Sequence, residues 1–133
     1  MKAITLTQPW ATLIAIGAKR IETRSWRTNY RGPLAIHASK ALPAYQFRSV
    51  LEAHGFHGFY DLPFGNIVAT CELIDCVQIT PDNVPPAPEF YYGDYTAGRW
   101  AWHLSNVIAL AKPIPAKGSL GLWEWVDAER VEA

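Results

Sequence analysis

Residues 8–26 read QPWATLIAIGAKRIETRSW, and this stretch sets the reading of the whole chain. Trp10, Leu13 and Ile14 recur at helical spacing, and Gly17 stands where such a helix stops. The helix has barely two turns, so it needs tertiary packing to persist. Thr7 is placed to cap it, and Pro9 falls in the first turn, where a missing N–H costs nothing. From Ile21 the pattern changes to alternation. Glu22, Arg24 and Trp26 share one face of a strand, with Ile21, Thr23 and Ser25 on the other. Lys19, Glu22 and Arg24 therefore gather beside one helix end, a place where binding or chemistry is easily built.

Working outward, Lys2–Thr7 is a short strand before the helix, and Pro33–Ala38 is another after a polar turn at 27–32. Residues 44–54, with Tyr45, Phe47, Val50 and Leu51, read as a second helix stopped by Gly55. Asn66–Ile79 is the longest strand candidate, and Trp100–Leu110 and Leu120–Val126 are the last two. Residues 80–98 (TPDNVPPAPEFYYGDYTAG) show no period, and a loop of that length is functional or mobile. The acidic end, DAERVEA, reads as a frayed tail or a short helical turn. This order predicts one mostly-β (α+β) domain over residues 1–133, a small barrel with two short helices covering its openings. Most connections are too short for the crossover helices of a doubly wound parallel sheet.

The formal net charge is zero, but the charge is unevenly spread. Residues 1–40 carry Lys2, Lys19, Arg20, Arg24, Arg27, Arg31 and Lys40 against Glu22 alone, and the acids dominate the rest. Local basic density is what a phosphate group feels, so the balanced total does not argue against nucleic acid. No run of about 18 apolar residues is present, so no membrane partner is expected and the protein reads as soluble and cytoplasmic. Cys71 and Cys76 lie in one strand candidate. At about 3.3 Å per residue they stand roughly 16 Å apart on opposite faces, too far for a disulfide. There is no P-loop, G-x-G-x-x-G or G-x-S-x-G motif, so no cofactor is expected. His54 and His57 lack completing ligands at recognisable spacing, so no metal is expected either.

Several residues carry candidate chemistry. Lys19 offers three donors and a point charge to a phosphate or a base carbonyl. As a nucleophile or base it would have to be neutral near pH 7, which requires burial or neighbouring cations. Glu22 could orient Lys19, accept a proton or bond the amino group of a base. Arg24 could hold a phosphate or stack on a base. Trp26 ends the charged face and is a stacking candidate, whereas Trp10 fits the buried stripe of the helix. The pairs Trp100/Trp102 and Trp123/Trp125 each point to one side of a strand, as barrel packing requires. Arg99 is a candidate phosphate contact. In the IHASK segment, His37 suits a ribose contact, general acid work or a structural role, and Ser39 and Lys40 sit at a strand end where an anion can be met. Lys117, before Gly118, is a weaker candidate of the same kind.

The segments QPWATLIAIGAKRIETRSW (8–26), GPLAIHASK (32–40), GNIVATCELIDC (65–76), GRWAWHL (98–104) and KGSLGLWEW (117–125) together resemble the ASCH domain family, whose fold is related to PUA-like barrels. The family pattern Gly-x-Lys-x-x-Glu-x-Arg is met at Gly17, Lys19, Glu22 and Arg24. The resemblance implies a PUA-like β-barrel with a cleft beside the first helix that binds RNA or a modified nucleoside. Some relatives resemble a small amidohydrolase acting on acetylated cytidine, and nuclease activity is attributed to others. The amidohydrolase pattern has a threonine where Glu22 stands here, and its later carboxylate has no clear counterpart. Family membership thus leaves enzyme activity open. The expectation is a binder of RNA or a nucleotide-like small molecule, using Lys19, Glu22, Arg24, Trp26, His37, Ser39, Lys40 and Arg99. The alternatives are a small hydrolase, with Lys19 and Glu22 catalytic, and a protein-interaction adaptor using the 80–98 segment.

Overall fold

The computed structural model describes residues 1–126; the DAERVEA tail, expected to fray or form a helical turn, lies outside them. The elements are β1 (Lys2–Leu6), α1 (Trp10–Ala15), β2 (Ile21–Arg24), β3 (Gly32–Ala38), α2 (Arg48–Ala53), β4 (Asn66–Gln78), β5 (Trp100–Pro115) and β6 (Trp123–Glu124). Short 3-10 turns occur at Tyr45–Phe47, Phe59–Asp61 and Glu89–Tyr92. The fold is mostly β with short helices. Its six strands form one mixed sheet in the order β2-β5-β4-β3-β1-β6, with only β1 and β3 parallel.

The expected barrel is not closed by backbone pairing, because β2 and β6 stand at opposite edges of the sheet. A side chain spans the gap. Arg24 on β2 donates from Nη2 to the carbonyl of Thr5 on β1, 2.8 Å away, although β5, β4 and β3 separate those strands in the ladder. β6 is two residues long and pairs with β1 only at Lys2 and Ala3, stopping short of Thr5. Nor do two helices cap openings. α1 packs across β1, β3, β4 and β5, whereas α2 buries only Leu51.

α1 illustrates how a very short helix is held. Its start is capped by Gln8 rather than by the expected Thr7: the buried Gln8 accepts from the Thr12 N–H at 3.0 Å and donates to the Pro63 carbonyl at 2.9 Å. At its end Gly17 adopts φ +82°, which an L side chain resists. That conformation lets Gly17 N–H reach the Ile14 carbonyl and Ala18 N–H the Leu13 carbonyl, a Schellman closure. Leu13 and Ile14 are fully buried, each worth about 1.5–3 kcal/mol of transfer free energy.

β4 and β5 pair along most of their length through three register shifts, which disrupt simple alternation. One shift, between Leu73 and Asp75, corrects the reading of the cysteines. It resets the alternation, so Cys71 and Cys76 both face the same core cluster with Ile4, Leu34, Ile36 and Trp102. Both thiols are free and buried. The shifts also carry β5 on to Pro115, past the expected end at Leu110, and β6 is shorter than the expected Leu120–Val126.

Candidate functional site

The sheet divides the candidate residues into two groups. The first surrounds β2. One flank of β2 pairs with β5, and the other is covered by the 80–98 segment. Glu89 accepts from the backbone N–H of Arg20 (2.8 Å) and Ile21 (3.4 Å). Asp94 N–H donates to the Thr23 hydroxyl at 3.1 Å, and Arg99 donates to the Thr23 carbonyl at 3.4 Å. Tyr92 is buried and its hydroxyl meets His54 Nε2 at 3.1 Å. The aperiodic segment is therefore an ordered strap along a sheet edge, a common way of blocking unwanted strand addition.

Lys19 is the latch of that strap. It is 1% exposed, and its amine donates to the carbonyls of Ile21 (2.5 Å) and Tyr92 (2.6 Å) while lying 3.6 Å from Glu22 Oε1. The Trp10 ring centroid is 5.8 Å from the same nitrogen. Backbone geometry brings it there, since Lys19 N–H bonds the Leu13 carbonyl directly after the Gly17 turn. Burial pushes the Lys19 ammonium below its ordinary value, while Glu22 and Glu89 oppose that shift. Glu22 also accepts from Arg24 Nε at 2.9 Å, and Arg24 holds the Thr5 carbonyl. Lys19, Glu22 and Arg24 thus come together, and they are bonded chiefly to one another and to backbone.

The second group lies at the other side of the sheet, where β3 ends, β4 begins and β5 ends. A cavity of about 1020 Å³ opens there, walled by His37, Ser39, Lys40, Phe64, Asn66 and Lys117, with Thr5 and the 118–120 turn completing it. A register shift between Ile36 and His37 sets the direction of the histidine. His37 is buried, with Nδ1 3.1 Å from Thr5 Oγ1 and Nε2 2.7 Å from the Ala116 carbonyl. The Trp123 indole donates to Thr5 Oγ1 at 3.0 Å. An indole can only donate and a carbonyl only accept, so Nε2–H donates to Ala116. In the neutral ring Nδ1 then accepts from the Thr5 hydroxyl. His37 is thereby a positioning group that ties β1, β3 and the 116–118 segment together. Gly118 lies so close that a Cβ there would stand 2.7 Å from His37 Cε1 and 2.8 Å from Thr5 Oγ1.

Lys40 and Lys117 are both exposed on the cavity wall. Among the described residues no acidic side chain lines the cavity, and neither lysine has an ion-pair partner. The Lys40 stem lies over Gly65, where an added Cβ would meet its Cε at 2.8 Å.

Trp26 and Arg99 lie outside the lining of the cavity. Trp26 packs edge-on against the buried Trp102 at 4.8 Å, and Arg99 secures the strap through Thr23 and Asp94. Glu89, Thr5, Asn66 and Phe64 were absent from the expected set. Only Glu89 carried a sequence signal, as the lone acid of the Pro- and Tyr-rich stretch between Asp82 and Asp94. Among the described residues no group of three His, Cys, Asp or Glu side chains is placed to hold a metal ion, and no helix is long and apolar enough to cross a membrane.

A family model for the ASCH domain matches residues 4–114. Activating signal cointegrator 1 of Homo sapiens and that of Mus musculus are each 38% identical to this chain over 82 residues, covering 56% of this chain and 14% of those proteins. Among solved structures, the ASCH protein of Zymomonas mobilis superposes with a TM-score of 0.61 at 15% identity, over 98% of this chain and 90% of its own. Its Y47F mutant superposes with a TM-score of 0.62 at 17% identity, over 98% and 93%. The structural likenesses are of fold, and the family match is of sequence over most of the length: the chain belongs to the ASCH domain family.

Proposed function

We propose that this ASCH domain binds single-stranded RNA or a nucleotide-like small molecule in the cavity between Lys40 and Lys117. The observation that carries the reading is two exposed lysines flanking a roomy recess with a fixed polar floor and, among the described residues, no acid in its lining. Its volume is at the upper end of the roughly 300–1,000 Å³ usual for small-molecule sites. The lysines supply positive charge for phosphate, Phe64 supplies a ring face, and the His37–Thr5–Trp123 network keeps the wall rigid. The Lys19–Glu22–Arg24 motif supports the site from behind, since Arg24 fixes the backbone of Thr5, a residue of the cavity wall.

The test is fluorescence anisotropy with a labelled short oligoadenylate, competed by AMP. Binding should weaken in Lys40→Ala/Lys117→Ala with folding unchanged. The log–log salt slope should fall by about 0.7 for each phosphate that is no longer neutralised. Binding indifferent to both lysines, or none at low salt, overturns the reading.

A hydrolase working through Lys19 has one observation in its favour, the burial that pushes its ammonium toward the neutral form. Against it, the amine is enclosed and already engaged by two carbonyls. Product formation from the same oligonucleotide, lost in Lys19→Met, would restore the enzyme reading.

A further inference from the structure

We infer that a second groove, walled by Tyr45, Phe59 and Tyr60, is a base-stacking subsite continuous with the lysine cavity, so that the ligand is single-stranded RNA of two or more nucleotides rather than a free nucleoside. The inference rests on the nucleotide reading of that cavity.

The groove has a volume of about 350 Å³, near the lower end of the usual range for a small-molecule site. Phe64 lines both recesses. The same two stretches of chain wall both of them: residues 39–48 pass from Ser39 and Lys40 in the cavity to Leu42, Tyr45 and Arg48 in the groove. Residues 57–66 pass from His57 and Tyr60 in the groove to Gly65 and Asn66 in the cavity. A strand of RNA leaving the cavity along these segments meets the groove next.

The chemistry of the groove suits a base. Tyr45 is 74% exposed and Tyr60 fully so, although most of the chain's other large aromatics are buried or half-buried. Tyr45 is not loose. Arg48 donates to its hydroxyl at 3.1 Å and places its guanidinium carbon 5.8 Å from the ring centroid. Arg48 is in turn 3.5 Å from Glu52. Arg48 is the fixed cation at the groove, His57 stands beside it, and no acid lines it among the described residues. Aromatic faces beside a cation, opening from a lysine-walled cavity, match the build of single-strand binding tracks, where rings take the bases and cations follow the backbone.

The test compares AMP with a short oligoadenylate by calorimetry on the wild type, the double variant Tyr45→Ala/Tyr60→Ala and Tyr45→Phe. The wild type should bind the oligonucleotide more tightly than AMP. Tyr45→Ala and Tyr60→Ala together should weaken oligonucleotide binding by about fivefold to a hundredfold, the size of one base–aromatic stack, and leave AMP within about twofold. Tyr45→Phe, which keeps the ring, should retain the affinity. Oligonucleotide binding unchanged by the alanine substitutions overturns the subsite while leaving the cavity reading intact. Failure of the wild type to bind either probe overturns the cavity reading, and the subsite with it.

Discussion

The β2 edge and the cavity at the β3–β4–β5 end are both built around lysines, yet the two regions use them in opposite ways. Lys19 is enclosed, with its donors spent on the Ile21 and Tyr92 carbonyls and its charge facing Glu22 and Glu89. Lys40 and Lys117 are exposed and have no acidic partner among the described residues. The motif that looks most like a ligand site in sequence is thus the better-satisfied cluster, and the less conspicuous lysines are the available ones. A lysine's role is set by what the rest of the chain brings to it: a strap from residues 89–99 reaches Lys19, and nothing comparable reaches Lys40 among the described residues.

The sharpest way to break this comparison is Lys19→Met. It leaves the buried Ile21 and Tyr92 carbonyls without their side-chain donor and removes one of the two cations beside Glu22, so unfolding free energy from urea titration should fall by about 3–5 kcal/mol. Oligonucleotide affinity of the molecules that remain folded should hardly change. A loss below about 1 kcal/mol, with binding abolished, would make Lys19 a ligand residue. Cys71, on β4 between the two regions, offers a control that should weaken both alike. Burial pushes its thiol up to about 12 from 9.0, so between those values the unfolded thiol ionises and the folded one does not. Stability should therefore fall as pH rises from about 9 to 12, by at most about 1.4 kcal/mol per unit. Cys71→Ala should flatten that slope in a series of pH-dependent melts.

On the cavity side, Gly118→Ala forces a methyl group into His37 and Thr5, at an expected cost of about 1–3 kcal/mol. It should also weaken oligonucleotide binding by displacing the neighbouring Lys117, whereas Lys19→Met should not. The smallest effect is expected from Gly17→Ala, about 1–2 kcal/mol for a left-handed residue. It should loosen the strap first, as faster hydrogen exchange at Ile21 than at His37.

Local signals in the sequence were enough for the strands through β4, for α1 with its glycine stop, and for the shared face of Glu22 and Arg24. Each depends on residues within one turn or one strand. The parts that escaped depend on distant partners. β2 pairs with a strand about 80 positions away, and the edge it leaves open is covered by side chains and 3-10 turns with no period to detect. The bulges in β4 and β5 hid the common facing of Cys71 and Cys76, because alternation was the only guide to it. The open ladder with Arg24 as its seam could not be told from a closed barrel, since strand count and spacing are the same for both. Of the expected site residues, His37, Ser39 and Lys40 line one cavity because they fall within four positions at a strand end. Lys117, marked only weakly by the glycine after it, joins them from another stretch, and Thr5 and Asn66 join with nothing local to announce it.

The strap also has a consequence in time. Lys19 and its Tyr92 acceptor are 73 positions apart, and β2 has no strand partner before Trp100. During synthesis from the N-terminus, α1 and the basic segment after it emerge long before anything that can cover them. For that interval Lys19, Arg20 and Arg24, with Glu22 as the acid beside them, form an uncovered cationic edge, open to polyanions and to the edges of other nascent chains. The stretch that reads first in the sequence is among the last to be sealed in the fold.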